Sequence, residues 1–418
     1  MSTSAALSPA VPKPDHIADS AVFDFDTFAD PGIKIDAHGR ALEVVRDAPG
    51  VFWTPRNGGH WILCSHKAVF EASRDPARFT NEFVPQEQIQ QLRASLPAGA
   101  PHILQPTPIT LDPPQHAIYR TPLQGAFSPK AMNAIKNDIR TLATELIEAV
   151  KADGKCEFMS AVAEPLPVQV FLKLFGLPAE RQRQYRDLVK EHMSATNFDP
   201  AATQVRLHRL VAVMHDTIMD RRDNPKDDII SMLWQANFAG KPATLNDMED
   251  YCVVLFTAGL DTVMNGIGLG VRHLADHPEL QAQLRADPKL VADATEELLR
   301  RYTFTLPPRK VAKDQVFEGV TMKKGEKVLL FLPGADLDPT EFTTPEEFDL
   351  ARTNKVHIAF GAGPHRCLGS HLARIELQIV YETILALLPE FRIDPARPVT
   401  YHGGHVWGPE QLHLVWKS

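Results

Sequence analysis

The chain has 418 residues, 44% of them hydrophobic and 23% charged, with a formal net charge of −8. This is the composition of an ordinary globular protein long enough to enclose a large core or a cofactor, and its acidic balance speaks against a general nucleic-acid binder. Four cysteines without CxxC or Cys/His ligand spacing, no recognisable signal peptide and no apolar run of membrane length exclude a disulfide framework and a zinc site, and point to a reducing, cytoplasmic compartment.

In chain order, residues 1–21 are rich in Ser, Ala and Pro and are expected to form a loose leader. Residues 22–418 are expected to be a single domain, because no linker, low-complexity break or repeat divides them. Val51-Phe-Trp-Thr-Pro followed by His60-Trp-Ile-Leu-Cys64 predicts a small hairpin within a first hundred residues otherwise read as short apolar runs and turns. From Ser128 onward a helical period dominates, predicting helices over 130–151, 177–193, 201–222, 245–277, 278–284, 292–302 and 370–387. Val328-Leu-Leu-Phe and Leu412-His-Leu-Val-Trp416 read as short strands, so the fold class is mainly α with a minor β portion.

Three features carry chemistry. The first is Thr257-Ala-Gly-Leu-Asp-Thr262, which sets an acid and a hydroxyl in the middle of an apolar helix, an arrangement that costs free energy unless those groups are used. Gly259 weakens that helix and Thr262 can bond a carbonyl one turn back, opening the ladder to water or a ligand; a plain kink with a satisfied Asp is the ordinary alternative. The second is Glu297-Leu-Leu-Arg300, whose spacing puts a carboxylate and a guanidinium on one helix face, a weak signal alone.

The third is Phe360-Gly-Ala-Gly-Pro-His-Arg-Cys367-Leu-Gly369, a cysteine ringed by glycines just before a helix. Glycines let the backbone bend and approach a flat cofactor, and the helix amides and dipole should lower the thiol pKa toward thiolate. A thiolate so held can bind haem iron. Free cysteine is ordinarily a small buried hydrophobe, and a thiol nucleophile with His365 or His371 as base would leave Thr262 and Glu297 unexplained.

The order Ala258-Gly259-x-Asp261-Thr262, then Glu297-x-x-Arg300, then Phe360-x-x-Gly363-x-x-x-Cys367-x-Gly369 resembles the cytochrome P-450 family. The likeness covers nearly the whole chain, including Pro345-Glu-Glu-Phe-Asp349, and over 255–416 it is similar to the bacterial camphor-hydroxylase branch, with Glu296-Glu-Leu-Leu-Arg-Arg301 and Leu414-Val-Trp416 as further landmarks. The resemblance implies a triangular helical prism with small sheets, holding haem b (iron protoporphyrin IX) between the long central helix and the cysteine-ligand helix. It implies a haem-thiolate monooxygenase that hydroxylates a C–H bond with O2 and two electrons. Cys367 would be the axial ligand in a loop that includes Phe360 and Gly369. His116, Arg120, Arg309 and His365 would pair with the haem propionates, Asp261 and Thr262 would serve proton delivery, and Glu297 with Arg300 would brace the ligand side.

By the same matching, Leu104, Val254, Thr257, Phe304, Thr305, His405 and Val406 surround the substrate. Mostly apolar walls suit a compact hydrophobe. Leu104 stands where the camphor branch places a tyrosine that anchors the substrate ketone, and the loop over 83–108 is longer. The expectation is therefore a terpenoid or norisoprenoid such as an ionone, with camphor or another monoterpenoid as alternative and a non-catalytic haem sensor as the alternative from another class. No Gly-x-Gly-x-x-Gly follows a strand. Electron supply is therefore expected to be external, and the resemblance implies a small acidic 2Fe–2S ferredoxin and a separate ferredoxin reductase, docking on a face with Arg120, Arg366, Arg374 and Lys355, with neither nucleic acid nor membrane as partner.

Overall fold

The computed structural model describes residues 6–97, 99–193 and 199–417. The expected loose leader is packed from Ser8 onward: Val11 N donates to Pro55 O at 3.0 Å, Asn57 N donates to Ser8 Oγ at 2.8 Å, and Ile17 is buried. Ile17 and Ala21 supply apolar surface to the neighbouring hairpin, which is what the Ser/Ala/Pro composition conceals.

Helix α1 (Pro31–Asp47) leads into the hairpin of β1 (Val51–Thr54) and β2 (His60–Leu63), followed by α2 (His66–Arg74), β3 (Phe79–Thr80) and α3 (Gln86–Ala94). The hairpin is legible in the sequence and the three helices are not. Helix α1 contains Pro31, two glycines and a non-helical Asp36, while Ile89 and Leu92 give α3 too few apolar positions to show a period. Helices α4 (Gln115–Ala126), α5 (Pro129–Ala134) and α6 (Lys136–Lys151) come next, so the predicted helix over 130–151 is two helices meeting at Ile135. Strand β4 (Lys155–Glu157), α7 (Pro165–Phe175), α8 (Gln182–Met193), α9 (Pro200–Asp223), α10 (Ile229–Trp234) and the short β5 (Asn237–Phe238) and β6 (Lys241–Pro242) precede the long α11 (Leu245–Asp276).

Beyond it lie α12 (Pro278–Ala286), α13 (Val291–Arg301), strands β7 (Pro308–Val311), β8 (Gln315–Phe317), β9 (Val320–Met322) and β10 (Lys327–Leu330), and the short α14 (Leu332–Ala335). An irregular stretch runs to α15 (Ser370–Leu387), and β11 (Phe391–Ile393), β12 (Thr400–His402), β13 (Gly408–Gln411) and β14 (His413–Trp416) end the chain. The larger sheet has the order β1-β2-β10-β7-β3, with β10 parallel to β2 and antiparallel to β7. A second sheet, β11-β14-β4, ties the C-terminal strands to the end of α6.

Helix α11 organises the helical part. It begins on a capping box, with Asp247 N donating to Thr244 Oγ1 at 3.2 Å and Thr244 N donating to Asp247 Oδ2 at 2.9 Å. By length and composition it could cross a bilayer, contrary to the expectation that nothing in the chain is long enough; here α7, α8, α9, α13 and α15 pack around it. Its fully buried Val, Leu, Ile and Phe side chains contribute on the order of 2 kcal/mol each. The result is a mainly helical protein with small sheets.

Candidate active site

The cysteine loop is shaped by its own backbone bonds. Cys367 N donates to Phe360 O at 2.8 Å, closing the loop, and Ala373 N donates to Gly369 O at 2.9 Å, starting α15. Gly363 has φ +69°, and a Cβ there would lie 2.4 Å from Ser73 O of α2, so only glycine satisfies both the conformation and the approach. The close approach expected toward a cofactor is at this position an approach to a helix. At Gly369, by contrast, a Cβ would meet nothing within 4 Å, which leaves the side of the loop next to Cys367 open.

Cys367 is accessible yet set deep enough that burial pushes its thiol pKa up. The two facts agree if the residue lines an interior cleft rather than the outer surface. The Gly369 amide and the cations Arg120, Arg366 and Arg374 pull the other way but do not win. The helix end alone therefore does not produce the expected thiolate; a coordinated metal ion would complete the ionisation.

Four basic groups converge nearby. The rings of His116 and His365 are 4.2 Å apart, and the Nε2 of each lacks a hydrogen-bond partner among the described residues. Burial holds the His116 pKa down to about 4, with Arg120 adding to the effect. Arg309 is 6% exposed, its guanidinium bonds only the adjacent Pro308 O among the described residues, and burial lowers its pKa to about 10. Arg120 bonds Arg366 O in the cysteine loop. Among the described residues none of the four makes an ion pair. His116 and Arg309 are buried and Arg120 and His365 half-buried, and basic groups so placed without a counter-ion hold their charge only at a cost, which an anion would remove.

On α11 the opposite wall is built by spacing. Asp250, Val254, Thr257 and Asp261 fall at i, i+4, i+7 and i+11, one stripe of the helix. Ala258 is exposed in the middle of this otherwise buried helix, so its neighbours border a cleft. Thr262 Oγ1 donates to Ala258 O at 3.0 Å and Thr257 Oγ1 to Val253 O at 2.9 Å, the bonding one turn back that the sequence predicts. The helix nevertheless runs on unbroken, and Gly259 is required by packing, since a Cβ there would lie 2.5 Å from the Phe171 ring of α7. Burial raises the Asp261 carboxyl pKa, opposed by the charges of His402 and Lys190. Asn265, not singled out from the sequence, donates to Asp261 O at 2.8 Å and accepts from His402 Nε2 at 3.3 Å.

The expected substrate-wall residues fall into two groups. Thr305 and Val406 form a β-bridge, Leu306 N donates to His405 O at 2.8 Å, and Trp407 N donates to Phe304 O at 2.8 Å, so 304–306 and 405–407 act as one unit. Phe304 packs on α11, its ring 3.2 Å from where a Gly266 Cβ would stand. Leu104 is bonded through its backbone to Gln204 of α9, and the next residue, Gln105, through its amide to Asp250 near the head of α11.

Behind the loop, Glu297 and Arg300 are fully buried and doubly hydrogen-bonded, at 2.9 and 3.0 Å. Arg300 also reaches Asp336 O, Pro345 O and Glu347 O, and Arg352 adds a third charge on Glu297 at 2.9 Å, bracing the irregular stretch. The neighbouring Glu296 binds Arg374 at 2.6 and 2.8 Å, and that guanidinium stacks 4.5 Å from the Phe360 ring centroid. Arg374 and Lys355, expected in a basic docking patch beside the ligand loop, are both engaged within the fold: Lys355 bonds Leu350 O at 2.8 Å and lies 3.7 Å from Asp293. Burial works against Glu296, yet the bonds from His357 and Arg374 win and hold its pKa down to about 2. Arg366 remains exposed.

A thiol on an open-sided loop, four basic groups without an ion pair among the described residues and a cleft-facing helix stripe fit a flat, dianionic, metal-centred group, as haem b is. A family model described as Cytochrome P450 matches residues 195–400. Probable cytochrome P450 127A1 of Sinorhizobium fredii (strain NBRC 101917 / NGR234) is 33% identical over 416 residues, 97% of each chain. Linalool 8-monooxygenase of Pseudomonas putida is 28% identical over 363 residues, covering 83% of this chain and 88% of the relative. The crystal structure of CYP101J2 matches with a TM-score of 0.86 at 32% identity, over 98% of this chain and 100% of that one. The chain belongs to the cytochrome P450 family, monooxygenases whose haem b is held by a cysteine thiolate.

Proposed function

We propose that this monooxygenase hydroxylates a compact hydrophobe of the terpenoid or norisoprenoid class, ionone-like in size, with electrons from an acidic 2Fe–2S ferredoxin and its separate reductase. In this reading Cys367 would ligate the haem iron, and His116, Arg120, Arg309 and His365 would hold the haem carboxylates through charge-assisted hydrogen bonds. When bound, the haem activates O2 for insertion into a C–H bond. Asp261, its pKa raised by burial, keeps a proton closer to neutral pH than an ordinary carboxyl does, and Thr262 presents a hydroxyl oxygen that can accept a hydrogen bond while its proton is held on Ala258 O.

The substrate class is carried by one observation: the wall offers few free donors. Leu104 stands where an anchoring hydroxyl would be needed, and the Thr257 hydroxyl is occupied by the Val253 and Val254 carbonyls, leaving its methyl for packing. The similar linalool 8-monooxygenase is named for a substrate of the same class. Titration of purified holoenzyme followed by the haem spin state tests this: ionones should give a large change and camphor a small one. A strong response to camphor with none to ionones would contradict the reading.

The ferredoxin is supported by Arg366, exposed beside Cys367 on a chain that is acidic overall. Arg366→Glu should slow reduction by an acidic 2Fe–2S ferredoxin by roughly tenfold, within the range that rim charges exert on association, and leave reduction by dithionite unchanged. Equal ferredoxin rates in the two proteins would count against docking at this face.

A further inference from the structure

Between α3 and α4, the segment 102–105 lies at the head of α11 without belonging to any helix or sheet. Five of its backbone polar groups are nonetheless satisfied, all by side chains from other parts of the fold. His102 O lies 3.1 Å from His208 Nε2 of α9. Ile103 O accepts from Arg93 of α3 at 2.6 Å. Leu104 N donates to Gln204 Oε1 and Leu104 O accepts from Gln204 Nε2, both at 2.9 Å, so one amide of α9 closes a two-bond ring on one residue of the loop. Gln105 N donates to Asp250 Oδ1 of α11 at 2.7 Å.

The His102 side chain locks the same place. Its Nδ1 is 3.0 Å from Glu249 Oε2 and its Nε2 is 3.2 Å from Asp250 Oδ1, while Arg93 Nη2 bonds the other Asp250 oxygen at 2.9 Å. Asp250 is 4% exposed, so the pairs work in a poorly hydrated setting where a charge-assisted bond is stronger than at the surface. The groups facing His102 are Glu249 and Asp250 of α11, with Arg93 of α3 paired to Asp250, and His208 and His215 of α9 behind them; His215 is 3.5 Å from Glu249.

Position gives the cluster its consequence. Asp250 starts the stripe that continues through Val254 and Thr257 to Asp261, and Gln105, the residue after Leu104, is bonded to its head. A loop held only by side chains can release as a unit when one or two of those bonds go, without unravelling any helix. We propose that His102 and Gln204 are positioning residues of a latch that fastens the segment 102–105 across α9 and α11, closing the substrate side of the cleft and setting how long an occupant stays. This rests on the reading above that Leu104, Val254 and Thr257 border the substrate.

The test uses holoenzyme. Hydrogen exchange of the Leu104 and Gln105 amides reports the latch itself, and the dissociation rate of 4-phenylimidazole, an azole probe that binds iron and extends into the substrate side, reports its effect on residence. Gln204→Leu and His102→Gln should each lower protection of these amides by about tenfold, the loss of one or two hydrogen bonds, and speed azole release by a similar factor, with the carbon-monoxide spectrum unchanged. Burial works against the charged form of His102, yet its acidic partners hold the pKa up to about 9, so protection and residence in the wild type should fall as pH rises through 9. In His102→Arg, which keeps its charge, both should stay flat, a difference that a merely structural role would not create. Unchanged amide protection in the variants would overturn the latch. Lost protection with unchanged azole release would show a latch off the ligand's path and overturn its control of residence together with the placing of Leu104 at the substrate, while a failure of ionones to bind would touch neither readout.

Discussion

Glu376 on α15 is 1% exposed, neither of its carboxylate oxygens has a hydrogen-bond partner among the described residues, and burial pushes its pKa up to about 8. A raised carboxyl leaves the fold at full stability below the unfolded value near 4.5 and costs stability as pH climbs toward 8, because the unfolded chain ionises first. Glu376→Gln should therefore unfold at higher urea than the wild type at pH 8, by a few kcal/mol, since each pH unit between the unfolded and folded pKa is worth about 1.4 kcal/mol, and it should gain far less at pH 4. A difference independent of pH would contradict this. Residues of this kind are invisible in the sequence, where Glu376 reads as one more polar position of a helix. Cys367, Asp261 and Thr262 are legible because their chemistry is written in neighbours a few positions away. Asn265 is not, since His402 stands 137 residues distant, and neither is the Arg352 that completes the Glu297–Arg300 brace.

At the scale of elements, the helices with a clear apolar stripe, α9, α11 to α13 and α15, stand within about two residues of where periodicity puts them. Helices α4 and α7 escape for opposite reasons. The first carries Pro122 and Gly125 near its end, and the second, Pro-Leu-Pro-Val-Gln-Val-Phe-Leu-Lys-Leu-Phe, is so thoroughly buried that it has almost no polar face to give a period. Helix α11 is continuous, so one stripe runs from Asp250, which holds the segment 102–105, to Asp261, which is proposed to handle a proton. The cysteine loop depends on its neighbours likewise, for α2 fixes Gly363 from one side while Glu296 of α13 and Arg374 of α15 hold Phe360 from another. Removing Glu296 would free a half-buried guanidinium next to the axial ligand's loop, which is why Arg374 is better read as part of the loop's support than as a docking charge.

Over the whole molecule, the motif order along the chain makes the family readable, whereas packing decides details that order cannot: which cations remain free for a partner, which hydroxyls remain free for a substrate, and that residues 8–21 are tied to the sheet. A chain with net charge −8 sets four basic groups, His116 and Arg309 buried and Arg120 and His365 half-buried, near the cysteine loop with no ion pair among the described residues. That quartet and Cys367 make the central claim, that the cleft between the cysteine loop and α11 holds a thiolate-ligated haem. It is tested most directly by the ferrous carbon-monoxide spectrum of the purified protein beside that of Cys367→Ala. The wild type should show a strongly red-shifted Soret band that is absent from the variant. A folded wild-type protein with no such band, or a variant that keeps it, would contradict the claim.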